Sequence, residues 1–271
     1  MMNKRLFVTA LYLLLFIARV GAQEIYKMAG PYEVVARDGQ YAFTKSGSER
    51  DMKAALSFAE EGQYVEAQKI INAYAQTLLC FEGHDAPLCC IQAYNLVRAA
   101  TLLNKGLRMK DEECVAFQAM IRRAILPTID KFEADSPYAN GNWGAIVNRC
   151  RMACAIFLED SALYQKSIDF FLYANDNGSL SNYVGASGQC QETGRDQNHA
   201  QLGLDMMCDI AEMAWEQGDD LWGALDNRLM KGIEYSAQYN LGYDVPFETW
   251  QDKTGLYCNW TEPGSMGRGR L

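Results

Sequence analysis

Histidine is nearly absent from this sequence: His84 and His199 are the only two among 271 residues. No Cys-x-x-Cys pair occurs either, although the chain has nine cysteines. Zinc sites are built mainly from such residues at close spacing, so we expect no metal site and no organic cofactor. Most of the cysteines are expected to be small buried apolar residues. A disulfide stays open, because sequence alone cannot pair them.

Basic charge is also scarce. The chain carries 25 Lys and Arg against 34 Asp and Glu, a net charge of -9 with a pI near 4.9. This balance argues against a nucleic-acid partner, because such proteins gather positive charge to meet phosphates. An anionic ligand would have to be bound by a local cluster of Arg, Lys and amide groups, since the overall field would repel it.

Long apolar runs are confined to the N-terminus. A basic start, Met1 to Arg5, precedes an apolar run and the small residues Val20-Gly21-Ala22. This order is typical of a cleavable signal peptide, which we predict over residues 1–22, with periplasmic or secreted localisation. A single membrane anchor is the alternative, but the apolar run is short for a span.

The rest of the chain, residues 23–271, is predicted to be one domain dominated by helices. Apolar residues recur at spacings of three and four over 49–61, 64–79, 87–105, 111–134, 143–158, 160–174, 196–217 and 220–240. Residues 23–48 suggest a lead-in arm or short hairpin. We found no fixed repeat period, so an all-α (α/α) toroid, an incomplete barrel of antiparallel helical hairpins, is favoured over a solenoid.

Three stretches interrupt the helical pattern. They cover residues 135–144, residues 175–188 and the region after Gly242, which is rich in Gly, Pro and aromatic residues. Long loops in compact domains are often functional. Because the first two loops each precede a helix, they can meet on one rim of a toroid. That would bring Asn142 and Trp143 near Arg195 and His199.

The stretch from Gly188 to Gln201 combines polar and helical character. Read as a helix, Glu192, Arg195 and His199 lie on the stripe that apolar residues continue from Leu202. Burying such polar groups without partners would cost several kcal/mol. We therefore predict a helix whose body packs in the core and whose first turns open into a cleft.

An amide, a guanidinium, an imidazole and nearby tyrosines suit β-elimination from a uronic acid. The amide or Arg neutralises the substrate carboxylate so that charge developing at C5 is stabilised. His or Tyr removes the C5 proton, and an acid, usually Tyr, protonates the leaving oxygen. A hydrolase would more naturally show two carboxylates flanking the bond, and no such pair can be singled out.

Four motifs carry a resemblance to a known family. They are Asn142-Trp143-Gly144, Gly188-Gln189-x-x-Glu192-x-x-Arg195-Asp196-Gln197-x-His199-Ala200-Gln201, Ala214-Trp215-Glu216-Gln217-Gly218-x-Asp220-Leu221 and Gly232-x-Glu234-Tyr235-x-Ala237-x-Tyr239-Asn240-Leu241-Gly242. Together they resemble the alginate lyase superfamily over roughly residues 25–271. The chain is most similar to the gut-bacterial branch that acts on alginate and glucuronan.

The resemblance implies cleavage of a β-1,4-linked polyuronate by β-elimination. It assigns Asn142 to carboxylate neutralisation, His199 to catalysis and Arg195 to neutralisation or substrate binding. The catalytic tyrosine is placed at Tyr257, with Tyr239 as the second choice. The residues expected to contact the polymer are Trp143, Gln189, Glu192, Gln197 and Tyr239.

Several alternatives remain open at this stage. Family members generally continue past the final Gly-Arg-Gly-Arg string, so the chain is expected to be either a truncated form, with activity in doubt, or a shorter toroid. A non-catalytic helical component that binds glycans or proteins in a polysaccharide-uptake system is one competing function. A toroidal hydrolase of unsaturated uronides is another. The polymer, the endo or exo mode, the syn or anti course and the oligomeric state are left undetermined.

Overall fold

The computed structural model describes residues 35–37, 40–42, 45–81 and 83–269. The predicted signal peptide, residues 1–22, lies outside them. Two short strands, β1 (Val35–Arg37) and β2 (Gln40–Ala42), pair antiparallel with Val35 opposite Ala42. They form the short hairpin that was one of the two predictions for residues 23–48.

Helices account for most of the described chain, as predicted. In order they are α1 (Lys45–Glu60), α2 (Tyr64–Thr77), α3 (Cys90–Gly106), α4 (Asp111–Met120), α5 (Leu126–Ala134), α6 (Gly141–Leu158), α7 (Ser161–Tyr173), α8 (Leu180–Tyr183), α9 (Gln197–Gln217) and α10 (Ala224–Asn240). A 3₁₀ turn (Ala86–Cys89) precedes α3, and α8 is a single turn inside the second predicted loop.

Two predicted helices differ in detail. The pattern over 111–134 forms α4 and α5 joined by a π-helical turn, Ile121–Ile125. Pro127 follows that turn and has no N–H to donate, which disrupts the regular bonding pattern and favours the wider turn. The helix predicted from residue 220 begins at Ala224, and its first residues, 225–227, have left-handed backbone angles.

The helices form two layers of antiparallel hairpins. Helices α1, α3, α6 and α9 pack against one another in that order and form the inner row. Helices α2, α7 and α10 back α1, α6 and α9, respectively, whereas α4 packs against α2 and α5 packs against α6. This arrangement is the predicted incomplete α/α toroid, because every amphipathic helix buries its apolar stripe between the two layers.

Helix α6 is the most deeply buried element. Nearly all of its residues are buried, and small side chains such as Ala153 and Cys154 let its neighbours approach closely. Its buried Arg149 pairs with Asp209 of α9 at 2.7 Å, and Arg151 pairs with Glu133 of α5. Buried charges need such partners. The middle of α6 is consequently held firmly against its neighbours α9 and α5.

Glycines end two of the helices where the sequence predicts a stop. Gly62 follows α1 with φ +73°, and Gly218 follows α9 with φ +97°. A side chain would be strained at these angles, so glycine is the usual residue at this position. Short connections of this kind keep successive helices antiparallel.

The last part of the chain folds without regular elements. In the described residues 243–269, here called the C-terminal segment, there is no helix or strand, as the composition predicts. None of the nine cysteines forms a disulfide in this structure. Within the described part of the chain, no helix has both the length and the apolar character needed to cross a bilayer.

Candidate active site

The candidate site forms where α6 and α9 begin and where the C-terminal segment crosses them. Asn142 lies in the first turn of α6 and is 1% exposed. Its backbone N–H donates to Glu192 Oε2 at 3.0 Å, whereas its side-chain oxygen and nitrogen have no hydrogen-bond partner in the described chain. Buried amides are rarely left unpaired. This amide is therefore free to take a ligand group once a neighbouring group moves aside.

The stripe predicted for Glu192, Arg195 and His199 is wrong in one respect. Residues 191–195 form turns, and α9 begins only at Gln197, so the first two side chains precede the helix. Asp196 caps it, because its Oδ1 accepts from the backbone N–H of His199 at 2.9 Å. A capping carboxylate satisfies an N–H that the helix leaves unpaired. The predicted helix bounds and the polar opening are retained.

His199 is held by the same capping residue. Its Nδ1 lies 2.6 Å from Oδ2 of Asp196, and its side chain is 33% exposed. An Nδ1–H donated to a carboxylate leaves Nε2 as the acceptor. Within the described residues Nε2 has no hydrogen-bond partner. The imidazole is thus oriented with its basic nitrogen away from Asp196.

Glu192 is fully buried, with 0% exposure, and does not face a cleft as a substrate ligand would. Its Oε1 accepts from Arg195 Nη1 at 2.9 Å, and its Oε2 accepts from the Tyr183 hydroxyl at 3.0 Å as well as from Asn142. Burial raises the pKa of this carboxyl to about 7, against the lowering effects of Arg195 and the hydrogen bonds. The predicted contact between Glu192 and substrate is replaced by a contact between Glu192 and the other site residues.

Arg195 is 28% exposed and links the two sides of the site. Its Nη1 donates to Glu192 and, at 3.2 Å, to Oδ1 of Asn140 in the loop before α6. Its Nε lies 3.7 Å from Asp196 Oδ2. In the described chain Nη2 has no hydrogen-bond partner. Nη1 is thereby fixed by the protein and Nε lies beside a carboxylate, which leaves Nη2 as the nitrogen available to an anion.

Tyr257 reaches the same cluster from the C-terminal segment. Its hydroxyl hydrogen-bonds Asn140 Oδ1, and its ring lies 5.9 Å from the Arg195 guanidinium carbon. Burial raises the pKa of this phenol, although Arg195 acts in the opposite direction. The hydroxyl therefore keeps its proton at neutral pH. Tyr239, the second choice, instead donates to Pro263 O at 3.3 Å and packs under Arg268.

Trp143 lines a cleft beside this cluster. The cleft has a volume of about 680 Å³, and its rim includes His84, Lys131 and Tyr138. The Trp143 and Tyr138 rings stack at 4.9 Å. Trp143 directly follows Asn142, and Tyr138 lies two residues before Asn140, which places the cleft and the polar cluster next to each other.

The other two predicted polymer contacts fasten the C-terminal segment. Gln189 and Gln197 are buried. The Gln189 amide donates to Glu248 O at 2.7 Å and accepts from Glu248 N at 2.8 Å, and Gln197 Nε2 donates to Gly264 O at 2.9 Å. The structure thus places these amides, like Tyr239, behind the segment that carries Tyr257.

Sequence reasoning assigned no individual role to three residues of the cluster. Asp196 orients His199. Asn140 accepts hydrogen bonds from both Arg195 and Tyr257. Tyr183 donates to Glu192. An Asp three residues before a helical His is a capping signal that could have identified the first. Asn140 comes from a loop and Tyr183 from the single turn α8, and their proximity has no signature in a single sequence. In the described chain no group of three or more His, Cys, Asp or Glu side chains is arranged to hold a metal.

The fold and the cluster define a helical toroid with a polar site at one rim. A model of the family described as alginate lyase matches residues 46–245, more than half of the chain. The chain belongs to this family and is by that membership a polysaccharide lyase. The recognition made from the motifs is confirmed, although Tyr257 lies beyond the matched residues. No curated protein matches the sequence.

Solved structures share the fold at low sequence identity. A His-to-Ala variant of alginate lyase A1-III complexed with tetrasaccharide aligns with a TM-score of 0.63 and 12% identity, over 93% of this chain and 77% of that one. An alginate lyase from Bacteroides ovatus aligns with a TM-score of 0.57 and 14% identity, over 83% and 70% of the two chains. The predicted α/α toroid is confirmed by these likenesses.

Proposed function

We propose that this protein cleaves a β-1,4-linked polyuronate, alginate or glucuronan, by β-elimination. The observation that carries the proposal is the clustering of Arg195, His199 and Tyr257: Asn140 hydrogen-bonds both Arg195 and Tyr257, and Asp196 contacts both Arg195 and His199. Family membership supplies the reaction class. The geometry supplies a separate group for each step of that class.

His199 acts as the base. Because Asp196 holds Nδ1, Nε2 is the nitrogen that removes the proton from C5 of the uronate. The C5–H electrons form the C4=C5 double bond while the bond between C4 and the glycosidic oxygen breaks. Asp196 then stabilises the imidazolium that results.

Tyr257 acts as the acid. Its hydroxyl is protonated at neutral pH because burial raises its pKa, and it passes that proton to the departing glycosidic oxygen. Asn140 accepts the hydroxyl hydrogen bond in the free protein. The substrate oxygen would replace Asn140 as the acceptor.

Arg195 and Asn142 neutralise the uronate carboxylate. The free Nη2 of Arg195 binds one carboxylate oxygen, and the unpaired Asn142 amide donates to the charge that develops at C5. Asn142 is 1% exposed, so its share requires a movement of the covering groups when the polymer binds. Such closure is common in enzymes that exclude water from a reactive intermediate.

The cleft beside Trp143 holds the neighbouring sugar rings. Stacked aromatic rings offer an apolar face to the C–H side of a pyranose. Lys131 is exposed on the cleft rim and has no ion pair within the described residues. It is placed to meet a second carboxylate along the polymer.

A direct assay tests the function. Purified protein is mixed with polymannuronate, polyguluronate, glucuronan and a carboxyl-reduced alginate, with chelator present. We expect the ultraviolet absorbance of an unsaturated uronate to rise for at least one charged polymer and not for the reduced one. Binding without cleavage would favour the glycan-binding alternative, and consumption of an added unsaturated uronide would favour the hydrolase.

The proposed compartment follows from the N-terminal sequence. We propose export to the periplasm or medium after cleavage near residue 22, which would bring the protein to a polymer too large to enter a cell. Mass spectrometry of the mature N-terminus in fractionated cells tests this directly, and an intact Met1 in the cytoplasm would contradict it.

A further inference from the structure

One carboxylate joins three separate elements behind the site. Glu192 accepts from the backbone N–H of Asn142 in α6, from the Tyr183 hydroxyl in α8 and from Arg195 in its own turn, at 2.9 to 3.0 Å. It is fully buried. It therefore touches the groups proposed to meet the substrate without being able to touch the substrate itself.

The contacts with Glu192 decide which atoms of Arg195 and Asn142 are left for a ligand. Because Glu192 and Asn140 occupy Nη1 of Arg195, the Nη2 edge is the one left for an anion. The bond from Glu192 to Asn142 N fixes the first turn of α6, which carries the unpaired amide. A bidentate or charge-assisted contact of this kind restricts geometry more strongly than a neutral bond.

We propose that Glu192 is a positioning residue whose negative charge holds Arg195 and the start of α6 in the arrangement that receives the uronate carboxylate. The inference rests on the proposed function, since it names how that site is kept in order. Protonation of Glu192 removes its attraction for the guanidinium and leaves Arg195 free to turn away.

Several ionisable groups surround this carboxyl. Arg195 and Cys190 face it from the turn, Tyr183 from α8 and Tyr257 from the C-terminal segment. Arg195 is the only cation among them, and desolvation outweighs it, so the pKa of Glu192 rises to about 7. The charge on Glu192, and with it the placement of Arg195, is consequently lost as the pH falls through the neutral range.

The Glu192→Gln variant tests the inference. We expect kcat/KM to fall roughly 10- to 100-fold, mainly through kcat, because small displacements of a site have effects of this size. In the native protein Glu192 gains a proton as the pH falls through the neutral range. The variant lacks this step, so the acid limb of its pH profile should fall one proton less steeply. Glu192→Asp, which keeps the charge, should recover part of the activity and the steeper limb.

Asp51→Asn is the matched control. Asp51 is also fully buried and also accepts from a tyrosine hydroxyl, Tyr74 at 2.9 Å, but it lies in α1 away from the site. We expect this variant to lose thermal stability and to keep the native pH profile and kcat. If Glu192→Gln behaves in the same way as Asp51→Asn, the inference is overturned.

A crystal structure of Glu192→Gln separates this inference from the proposed function. We expect the Arg195 guanidinium to leave Asn140 and the first turn of α6 to shift, whereas both should stay in place in Asp51→Asn. If the native protein cleaves no uronate polymer, the proposed function fails. The position of Arg195 in the two variants still decides the role of Glu192. Should the glutamine variant not fold, crystals of the native protein below and above pH 7 are compared in its place, and an Arg195 guanidinium that stays on Asn140 at the lower pH would contradict the inference.

Discussion

The two sides of the candidate site are built in different ways. The side at the start of α9 uses contacts between residues three or four apart, such as Asp196 with His199 and Glu192 with Arg195. The side at Tyr257 has no regular element. It is held by contacts across tens of residues, including Gln189 with Glu248 and Asn177 with Asp252. The first side is set by local chemistry, and the second depends on the whole fold.

This difference bears on stability as well as on geometry. A helix cap remains formed as long as its helix does. An irregular segment is ordered only while its long-range bonds outweigh the entropy of fixing it. Damage to the second side should therefore leave the first intact, even though the two sides lie close together: a Cβ on Gly194 would lie 2.5 Å from the Trp260 Cβ.

Loss of the proposed base should give the largest effect. His199→Ala removes the imidazole but keeps the backbone N–H that Asp196 caps. We expect activity to fall about 10²- to 10⁴-fold, the usual range for a general base, with an unchanged circular dichroism spectrum. Added imidazole should restore part of the activity. Full activity in the variant would remove His199 from the mechanism.

Loss of the acid on the other side should give a somewhat smaller effect. Tyr257→Phe removes only the hydroxyl, and we expect turnover to fall about 10²-fold with substrate affinity nearly unchanged. Initial rates on the best polymer measure this. Tyr243→Phe is the control, since Tyr243 belongs to the same segment and is exposed. Equal losses in both variants would mean that the segment, and not the Tyr257 hydroxyl, matters.

The stability of the first side should depend on pH. The pKa of Glu192 is about 7 when folded and near 4.3 when unfolded, so the folded state prefers the protonated form. Its stabilising contribution is full below pH 4 and is lost as the pH rises through 7. Between pH 5 and 8 the native protein should lose on the order of 2 kcal/mol relative to Glu192→Gln. Urea unfolding at several pH values measures this, and parallel curves would contradict the raised pKa.

Loosening the second side should have the smallest effect. Gln189→Ala removes both bonds to the Glu248 backbone, which we expect to cost about 1 to 3 kcal/mol. Turnover should fall several-fold through misplacement of Tyr257, and proteolysis should cut first within the C-terminal segment. Gln238→Ala, at an exposed position of α10, should change neither. Indiscriminate cleavage throughout Gln189→Ala would show that the two sides unfold together.

The amino-acid sequence by itself determined the local features of this protein. Apolar spacing located the helices to within a few residues, because a helix must bury a stripe that repeats every 3.6 residues. Glycine located the stops after α1 and α9, since its missing Cβ permits positive φ. The polar start of α9 was also readable, although only the structure showed that Glu192 and Arg195 precede the helix.

Only the tertiary structure decided which groups meet. Glu192 and Gln189 were predicted to contact the polymer, but both are buried. Glu192 instead hydrogen-bonds α6, α8 and Arg195, and Gln189 hydrogen-bonds the backbone of the C-terminal segment. The pairing of Tyr257 with Asn140 spans 117 residues. Contacts between residues so far apart in the sequence depend on how the helical hairpins pack, and no local sequence pattern predicts them. The physical reason is that propensity acts between neighbours in the chain, whereas burial and hydrogen bonding act between neighbours in space.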